Sequence, residues 1–494
     1  MVSIGYDIGS SSVKAALLNC DNNEVLATAQ YPKREMSMIA HHPGWAEQRP
    51  EDWWDAVKRT TAELLANYDG DTQRINAIGI SYQMHGLVCV DAHGDLLRPS
   101  IIWCDSRAIP YGQEAYDALG TDYCRDHLLN SPGNFTAAKL AWVKNNEPEI
   151  YDRIHRVMLP GDYIAMRFSG QVQTTTSGLS EGVFYDFKRE QVSEELMKHF
   201  GFQQELIPEV VPTFSEQDIV SDIVARELGL PDGIAISYRA GDQPNNALSL
   251  DVLRPGEIAA TAGTSGVIYG ISDELKGDGR SRVNAFAHVN HSADDRRLGI
   301  LLCINGTGIM YNWANKNLNV GSYSEMNEMA AQVALGSDGL TVLPFGNGAE
   351  RILENRDIEA HIHGLQLNIH DRSHVVRAIT EGIACAMRYG TDIMAEVGVS
   401  CTSIKAGFAN LYQSAVFRQA IANLTNAKLT LYNTDGAVGA ARGAAIGIGW
   451  YTTDDAFTGL RPILEVDPDA DRDQYEELFT RWRKVLDQTL TLHE

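Results

Sequence analysis

The chain is poor in cysteine and shows no pairing pattern among the few it has. Its seven cysteines, Cys20, Cys89, Cys104, Cys124, Cys303, Cys385 and Cys401, are scattered, odd in number and form no C-x-x-C motif. That spacing excludes a disulfide framework or a zinc ribbon and fits a reducing compartment. No apolar stretch approaches the roughly 18 uninterrupted residues that a membrane-crossing helix needs. The N-terminus enters a strand pattern without a basic segment and a following apolar run, so no secretory leader is expected and the expected location is cytoplasmic. Positive charge is scarce as well: 41 basic residues against 65 acidic ones leave a net charge of −24. Such a field repels nucleic acid and anionic membrane surfaces, so neither is expected as a partner. Any anionic ligand must be met locally, by backbone donors and a metal.

At 494 residues the chain is too long for one core, and about two to four domains is the length expectation. With 44% hydrophobic and 21% charged residues it has the composition of an ordinary globular protein. Two turns stand out. Tyr6-Asp7-Ile8-Gly9-Ser10-Ser11-Ser12-Val13-Lys14 lies between apolar strands at Val2 to Tyr6 and Val13 to Leu18. Ala262-Gly263-Thr264-Ser265-Gly266-Val267 lies between Ile258 to Ala262 and Val267 to Ile271. Each reads as a tight hairpin whose glycine lets the backbone approach an anion, with N–H and O–H donors pointing inward. Either alone is also what an ordinary Gly/Ser hairpin looks like; the repetition favours two lobes facing one nucleotide. Only the first copy carries a carboxylate. Asp7 ends a buried strand, where a bare charge is costly unless it meets a cation, and nucleotide-bound Mg²⁺ is the natural partner.

The repetition extends beyond the turns. Pro50 to Tyr68 has helical spacing and an acidic start, and the strand Ile75 to Ser81 then runs into Tyr82-Gln83-Met84-His85-Gly86. In the second half a helix at about Asp371 to Val397 precedes a strand at Ser403 to Ala406, which runs into Gly407-Phe408-Ala409-Asn410. Hairpin, helix, strand and glycine turn therefore occur twice. The spacing predicts two α/β lobes with a break near Leu250 to Gly256, central mixed sheets flanked by helices, and a ligand cleft between the lobes. A final amphipathic helix, Asp471 to Leu490, is expected to bury Tyr475, Leu478, Phe479, Trp482 and Leu486.

The strand Ile234 to Tyr238 ends at Arg239-Ala240-Gly241-Asp242-Gln243-Pro244. Loops at the carboxyl ends of strands face the cleft in α/β folds. Asp242 there is either a helix N-cap or a cleft base that accepts the proton of an attacking hydroxyl.

Eight ordered blocks carry a resemblance that spans nearly the whole chain. They are Asp7 to Lys14; His42-Pro43-Gly44-Trp45-Ala46-Glu47-Gln48; Gln83-Met84-His85-Gly86; Trp103-Cys104-Asp105-Ser106-Arg107; Thr136 to Val143; Gly241-Asp242; Gly263-Thr264-Ser265-Gly266; and Asp435 to Ala441. With them the sequence resembles the FGGY family of carbohydrate kinases, most closely its xylulokinase branch. The resemblance implies two ribonuclease-H-like lobes of the actin-like ATPase kind with an inter-lobe cleft: residues 1–250 mainly for sugar, residues 251–494 mainly for ATP. It implies ATP and Mg²⁺ as cofactors and a small sugar as partner, and a homodimer is compatible with it. The implied reaction is phosphorylation of a ketopentose, D-xylulose to D-xylulose 5-phosphate first, another ketose or a polyol second.

The same resemblance implies the roles. Asp242 would be the general base and Asp7 the Mg²⁺-associated carboxylate. Met84, His85, Trp103, Asp105, Asp242 and Gln243 would line the sugar site. Gly9, Ser10, Ser11, Lys14, Gly263, Thr264, Ser265, Gly407, Ala409 and Asn410 would hold ATP. Four departures bear on the substrate: Gln243 and Cys104 each stand where asparagine is usual, Gly348-Ala349-Glu350-Arg351 is a remnant of a longer segment, and Gly407-Phe408-Ala409 replaces a triple-glycine turn. An actin-like ATPase acting as chaperone or filament subunit has no use for Asp242 or the sugar-side blocks, and a sensor without catalysis has no use for both aspartates. His41, His42, His361, His363 and His370 read as surface or structural, and Trp53 and Trp54 as core.

Overall fold

A computed structural model describes residues 1–493 of the chain. The first half opens with β1 (Val2–Ile8), β2 (Val13–Asn19) and β3 (Glu24–Tyr31), an antiparallel meander. Helix α1 (Pro50–Ala66) follows, with Pro50 in its first turn and Glu51 and Asp52 favouring its positive end, and stops two residues before the predicted Tyr68. Strand β4 (Ile75–Tyr82) returns parallel to β1. A long excursion leaves the sheet before β5 (Phe214–Ile219) and β6 (Ala235–Gly241), giving the sheet order β5-β6-β4-β1-β2-β3.

The second half repeats this plan. β7 (Glu257–Ala262) and β8 (Gly266–Ser272) form the hairpin, β9 (Asn284–Ala287) and β10 (Leu298–Ile304) extend it, and β11 (Ser403–Gly407), β12 (Lys428–Tyr432) and β13 (Leu464–Val466) complete the sheet in the order β9-β10-β8-β7-β11-β12-β13. β11 runs parallel to β7 as β4 does to β1. Both sheets also end in an antiparallel edge strand, β5 on β6 and β13 on β12. The predicted α/β class and paired lobes are the observed ones, and strand β6 runs three residues beyond the predicted Tyr238, through Gly241.

Four further helices matter to the cleft. α2 (Thr136–Asn146) and α3 (Thr176–Glu181) belong to the first-half excursion, α4 (Asp242–Ser249) follows β6 directly, and α5 (Gly308–Asn317) follows β10. α6 (Arg372–Glu396) is capped by the Asp371 carboxylate, which accepts from the Ser373 and His374 N–H groups. α7 (Ala415–Thr425), α8 (Gly436–Gly447) and α9 (Arg472–Leu492) end the chain. On α9, Tyr475, Leu478, Trp482 and Leu486 are buried as expected, and Phe479 is partly covered. Among the described residues no helix is long and apolar enough to cross a membrane.

The halves exchange helices. α8, from the second half, lies on the first sheet: Ser3 Oγ donates to Ala441 O at 2.7 Å and Ser237 Oγ to Ala444 O at 2.8 Å. A Cβ at Gly5 would sit 1.9 Å from Ala437 O, and one at Gly79 2.0 Å from Ala440 O, so these strand positions admit only glycine. α4, from the first half, packs Ala247 and Leu250 beside Ala259, Tyr269 and Ile271 of the second sheet. A boundary after Leu250 therefore divides the chain but not the packing. At the opposite side the edge strand β9 is completed by side chains of the excursion. Asn130 pairs with both Ala285 N–H (3.0 Å) and Ala285 O (2.6 Å), while Ser180 and Ser177 do the same for Ala287 (both 2.9 Å). The edge is thereby satisfied and the two halves are joined.

Candidate active site

Asp7 stands at the end of β1 and accepts a hydrogen bond from Ser81 Oγ at 3.0 Å, the neighbour that parallel pairing with β4 puts beside it. Burial raises its pKa, Ser81 and Lys14 work against that, and Asp435 adds to it. The N-terminus of α8 comes against it: a Cβ at Gly436 would fall 2.6 Å from Asp7 Oδ2. Asp435 caps that helix, donating nothing and accepting from Val438 N–H at 3.0 Å, and Asn245 Nδ2 of α4 donates to Gly436 O at 2.8 Å. Three elements distant in sequence so converge on one carboxylate.

Asp242 is the first residue of α4, immediately after the buried β6, and Gly241 rather than Asp242 occupies the N-cap position. Asp242 therefore lies in the first turn of the helix, one residue inside the cap. Burial first, and the charge of Asp7 second, push its carboxyl up to about 7, while hydrogen bonds from Gln243 oppose the shift. The two aspartates, both at strand ends of the first sheet, sense one another. Met84 is buried against Gly241, where a Cβ would meet its Cγ at 2.6 Å.

The turn Gln83 to Gly86 is tied to the first hairpin. Gln83 N–H donates to Ile8 O at 2.8 Å. Gln48 bridges the two turns: its Nε2 donates to Ser10 O at 2.6 Å, and its Oε1 accepts from Gln83 Nε2 at 3.2 Å and Trp53 Nε1 at 3.0 Å. Trp53 is core, as expected, with a second task of orienting this amide. His85 has a left-handed backbone, φ 61°. Its ring lies between Phe135 (centroids 4.6 Å) and Phe286 (5.5 Å), and burial lowers its pKa to about 3. Lys139 Nζ donates to His85 O at 2.7 Å, and complete burial brings that ammonium down to about 7.

Trp103 is half exposed and its Nε1 donates to Ser10 Oγ at 3.4 Å, so it reaches from its own loop to the first turn. Asp105 corrects an expectation. It is fully buried: Oδ2 accepts from Arg107 Nη2 and Ala46 N–H, each at 2.6 Å, and Oδ1 from Arg107 N–H at 2.9 Å, so both oxygens are engaged in bracing this loop. Gly9 N–H donates to Ser12 O at 3.0 Å and closes the turn. Ser11 and Lys14 are exposed at the turn, Lys14 directly across the hairpin from Asp7.

In the second turn the carbonyls face away. Gly263 O accepts from Gly308 N–H and Thr264 O from Ile309 N–H, each at 3.0 Å, which fixes the start of α5 against the turn. Gly263, Thr264 and Asn410 line a cavity of about 410 Å³ together with Tyr311, Asn312 and Gln413. Asn410, at φ 53°, brings the β11 turn onto it. A Cβ at Gly407 would meet nothing within 4 Å, so the room that glycine leaves lies in the open cleft. Ala409 and Phe408 are exposed at the same rim, with Arg418 5.9 Å above the Phe408 ring. Ser265 flanks Cys303. In the altered segment, Glu350 accepts from the N–H groups of Asn305 and Gly306, each at 2.9 Å, and holds the loop before α5.

The FGGY carbohydrate kinase N-terminal domain matches residues 2–249 and the FGGY C-terminal domain residues 258–448. The chain belongs to the FGGY family of carbohydrate kinases. This FGGY kinase is 29% identical over 511 residues to a xylulose kinase of Bacillus subtilis, covering 99% of this chain and 97% of the relative. A crystal structure of a xylulose kinase from Rhodospirillum rubrum superposes with a TM-score of 0.89 at 26% identity, covering all of both chains. A Plasmodium falciparum glycerol kinase with ADP gives 0.90 at 19% identity, over 99% of this chain and 98% of that one, which shows the shared fold alone. The protein is a sugar kinase of this family, with the family's actin-like ATPase fold and its use of ATP.

Sequence reasoning missed Glu181, which is buried against the Gln83 to Gly86 turn. Its carboxylate is fully buried, Oε1 accepts from His85 N–H at 3.3 Å, and Oε2 has no partner. Burial raises its pKa well above the ordinary range, with Asp242 adding to the effect. A glutamate within the small-residue run Thr174 to Gly182 was the only available signal.

Proposed function

We propose that this kinase transfers the γ-phosphoryl group of ATP to the terminal hydroxyl of a ketopentose, with D-xylulose as the first candidate. The observation that carries the reading is Asp242: a cleft carboxylate at the carboxyl end of a strand, beside Asp7, with its proton affinity raised to about 7. A base with that affinity is matched to neutral pH. The hydroxyl oxygen bonds to the γ-phosphorus, the bond to the β-phosphate bridging oxygen breaks, ADP leaves and Asp242 Oδ takes the hydroxyl proton. Phosphoryl transfer asks the protein chiefly for in-line placement and charge stabilisation.

The chain's other residues supply that placement. Gly263, Thr264 and Asn410 line the cavity assigned to the nucleotide, while Ser10, Ser11 and Lys14 lie at the first turn. Asp7 fits Mg²⁺: it is a single carboxylate in a cradle that a Cβ at Gly436 would fill, and Mg²⁺ commonly takes one or two carboxylates with the nucleotide's phosphates. Bound there, Mg²⁺ would neutralise the charge on the transferring group. His85, Met84, Trp103 and Gln243 line the sugar side.

A second reading, another ketose or a polyol, is favoured by Gln243, whose side chain reaches Asp242 itself. A coupled ADP-release assay over D-xylulose, L-xylulose, D- and L-ribulose, glycerol and gluconate tests both, reported as kcat/KM ratios. D-xylulose leading the panel supports the first reading, and another sugar leading it supports the second. No sugar-stimulated ADP release at all sinks both.

A further inference from the structure

Glu181 closes α3, the helix whose Ser177 and Ser180 hold the edge of β9. It meets His85 twice. The Glu181 carboxylate accepts the His85 main-chain N–H at 3.3 Å, and the Glu181 carbonyl oxygen lies 3.0 Å from His85 Nδ1. A carbonyl oxygen only accepts, so Nδ1 carries the proton in this pair. The other ring nitrogen then bears a lone pair, and Nε2 makes no hydrogen bond among the described residues. On its far side Glu181 reaches the catalytic turn: its unpartnered Oε2 is 2.4 Å from the place a Cβ on Gly241 would occupy, one residue before Asp242.

We propose that Glu181 is a positioning residue that holds His85 in the Nδ1–H tautomer and in register with Asp242, making Nε2 a hydrogen-bond acceptor for a hydroxyl of the sugar. The proposal deepens the sugar-kinase reading above and rests on it for the identity of the ligand. An acceptor at this point pairs with an O–H and offers nothing to a ketone oxygen, which also only accepts. His85 therefore reads a hydroxyl, and the carbonyl of a ketose must find its donor elsewhere. The left-handed backbone at His85 is unusual for a non-glycine residue, and the Glu181 carboxylate together with Lys139 Nζ on His85 O pins both main-chain groups of that residue.

The test uses the full chain labelled with ¹⁵N-histidine, with His85 assigned from the signals lost in His85→Asn. The expected wild-type signal is a neutral ring with a pyrrole-type Nδ1 and a pyridine-type Nε2 at pH 7. D-xylulose added without nucleotide should shift Nε2 while leaving Nδ1 nearly still. Glu181→Ala keeps the main-chain carbonyl that receives Nδ1–H, so the tautomer should persist while the freed His85 main chain shifts the ring signals, and the KM for D-xylulose should rise by roughly tenfold with kcat within about threefold, a loss of ground-state and transition-state binding alike. Glu181→Gln, which keeps an acceptor oxygen for the His85 N–H, should restore both signal and KM. An Nε2–H tautomer or a cationic ring in the wild type overturns the proposal, as does Glu181→Ala with an unchanged His85 signal. Should Glu181→Ala fail to fold, the wild-type tautomer and the Gln variant still decide. A correct tautomer with no response to D-xylulose overturns the sugar assignment and leaves the Glu181–His85 relationship standing.

Discussion

Ser81 Oγ donates to Asp7 Oδ1 at 3.0 Å, a side-chain link between the first hairpin and the parallel strand that leads into the Gln83 to Gly86 turn. It leaves Oδ2 facing the N-terminus of α8. Ser81→Ala should raise the Mg²⁺ concentration needed for half-maximal turnover by about 3–10-fold, the net worth of a typical hydrogen bond, with little change in the KM for sugar. Asp7→Ala should lower Mg²⁺-dependent turnover much further. Titration of activity with Mg²⁺ checks both, and an unchanged Mg²⁺ response in Asp7→Ala removes the metal role.

Asp242→Ala should reduce kcat by about 10²–10⁴-fold, the usual contribution of a general base, while the affinity for ATP stays near normal. Single-turnover kinetics beside nucleotide-binding calorimetry separate the two. Turnover close to wild type would take Asp242 out of the mechanism.

The same carboxyl predicts two pH effects. It titrates near 7 in the folded protein and near 3.9 when unfolded. Activity requiring the ionised base should therefore rise with pH, with an acid limb of kcat/KM near 7 that Asp242→Asn abolishes together with activity. Stability runs the other way. Between about pH 4 and 7 the folded state keeps a proton that the unfolded chain has lost, so this group's contribution to stability is complete below the lower value and is lost as pH rises through 7. Asp242→Asn should accordingly stabilise the protein by about 1–3 kcal/mol at pH 8 and scarcely at pH 4, read from Tm at the two pH values. A pH-independent difference would contradict the raised affinity.

Gly5→Ala should destabilise by about 3 kcal/mol or more or prevent folding, because its Cβ would meet the backbone oxygen of Ala437 at 1.9 Å and α8 would have to leave the first sheet. Thermal denaturation checks it. Tolerance of alanine at Gly5 would mean that α8 does not pack there.

Gly407→Ala separates packing from ligand space in the opposite sense. No protein atom lies within 4 Å of the added Cβ, so Tm should change by less than the equivalent of about 0.5 kcal/mol. The KM for ATP should rise about fivefold or more if the nucleotide uses that space. Calorimetric ATP affinity gives the answer, and an unchanged affinity places the adenosine elsewhere.

Much of the architecture was readable because it follows from short-range rules. Alternating apolar strands around Gly9 and Gly263 specified two hairpins, Pro50 with Glu51 and Asp52 specified a helix start, and both appear where expected. Less legible was which polar groups the fold already engages internally. Asp105 looks like a ligand in sequence, but Arg107 and Ala46 take its oxygens.

The sequence by itself determined the repeated lobe plan, the two aspartates at strand ends and the glycine turns, since each depends on residues adjacent in the chain. Only the tertiary structure decided what those groups face. Glu181 meets His85 across 96 positions, and Gly5 meets Ala437 across the exchange of helices between lobes. Such contacts are fixed by burial and close packing in three dimensions, and no local pattern records them.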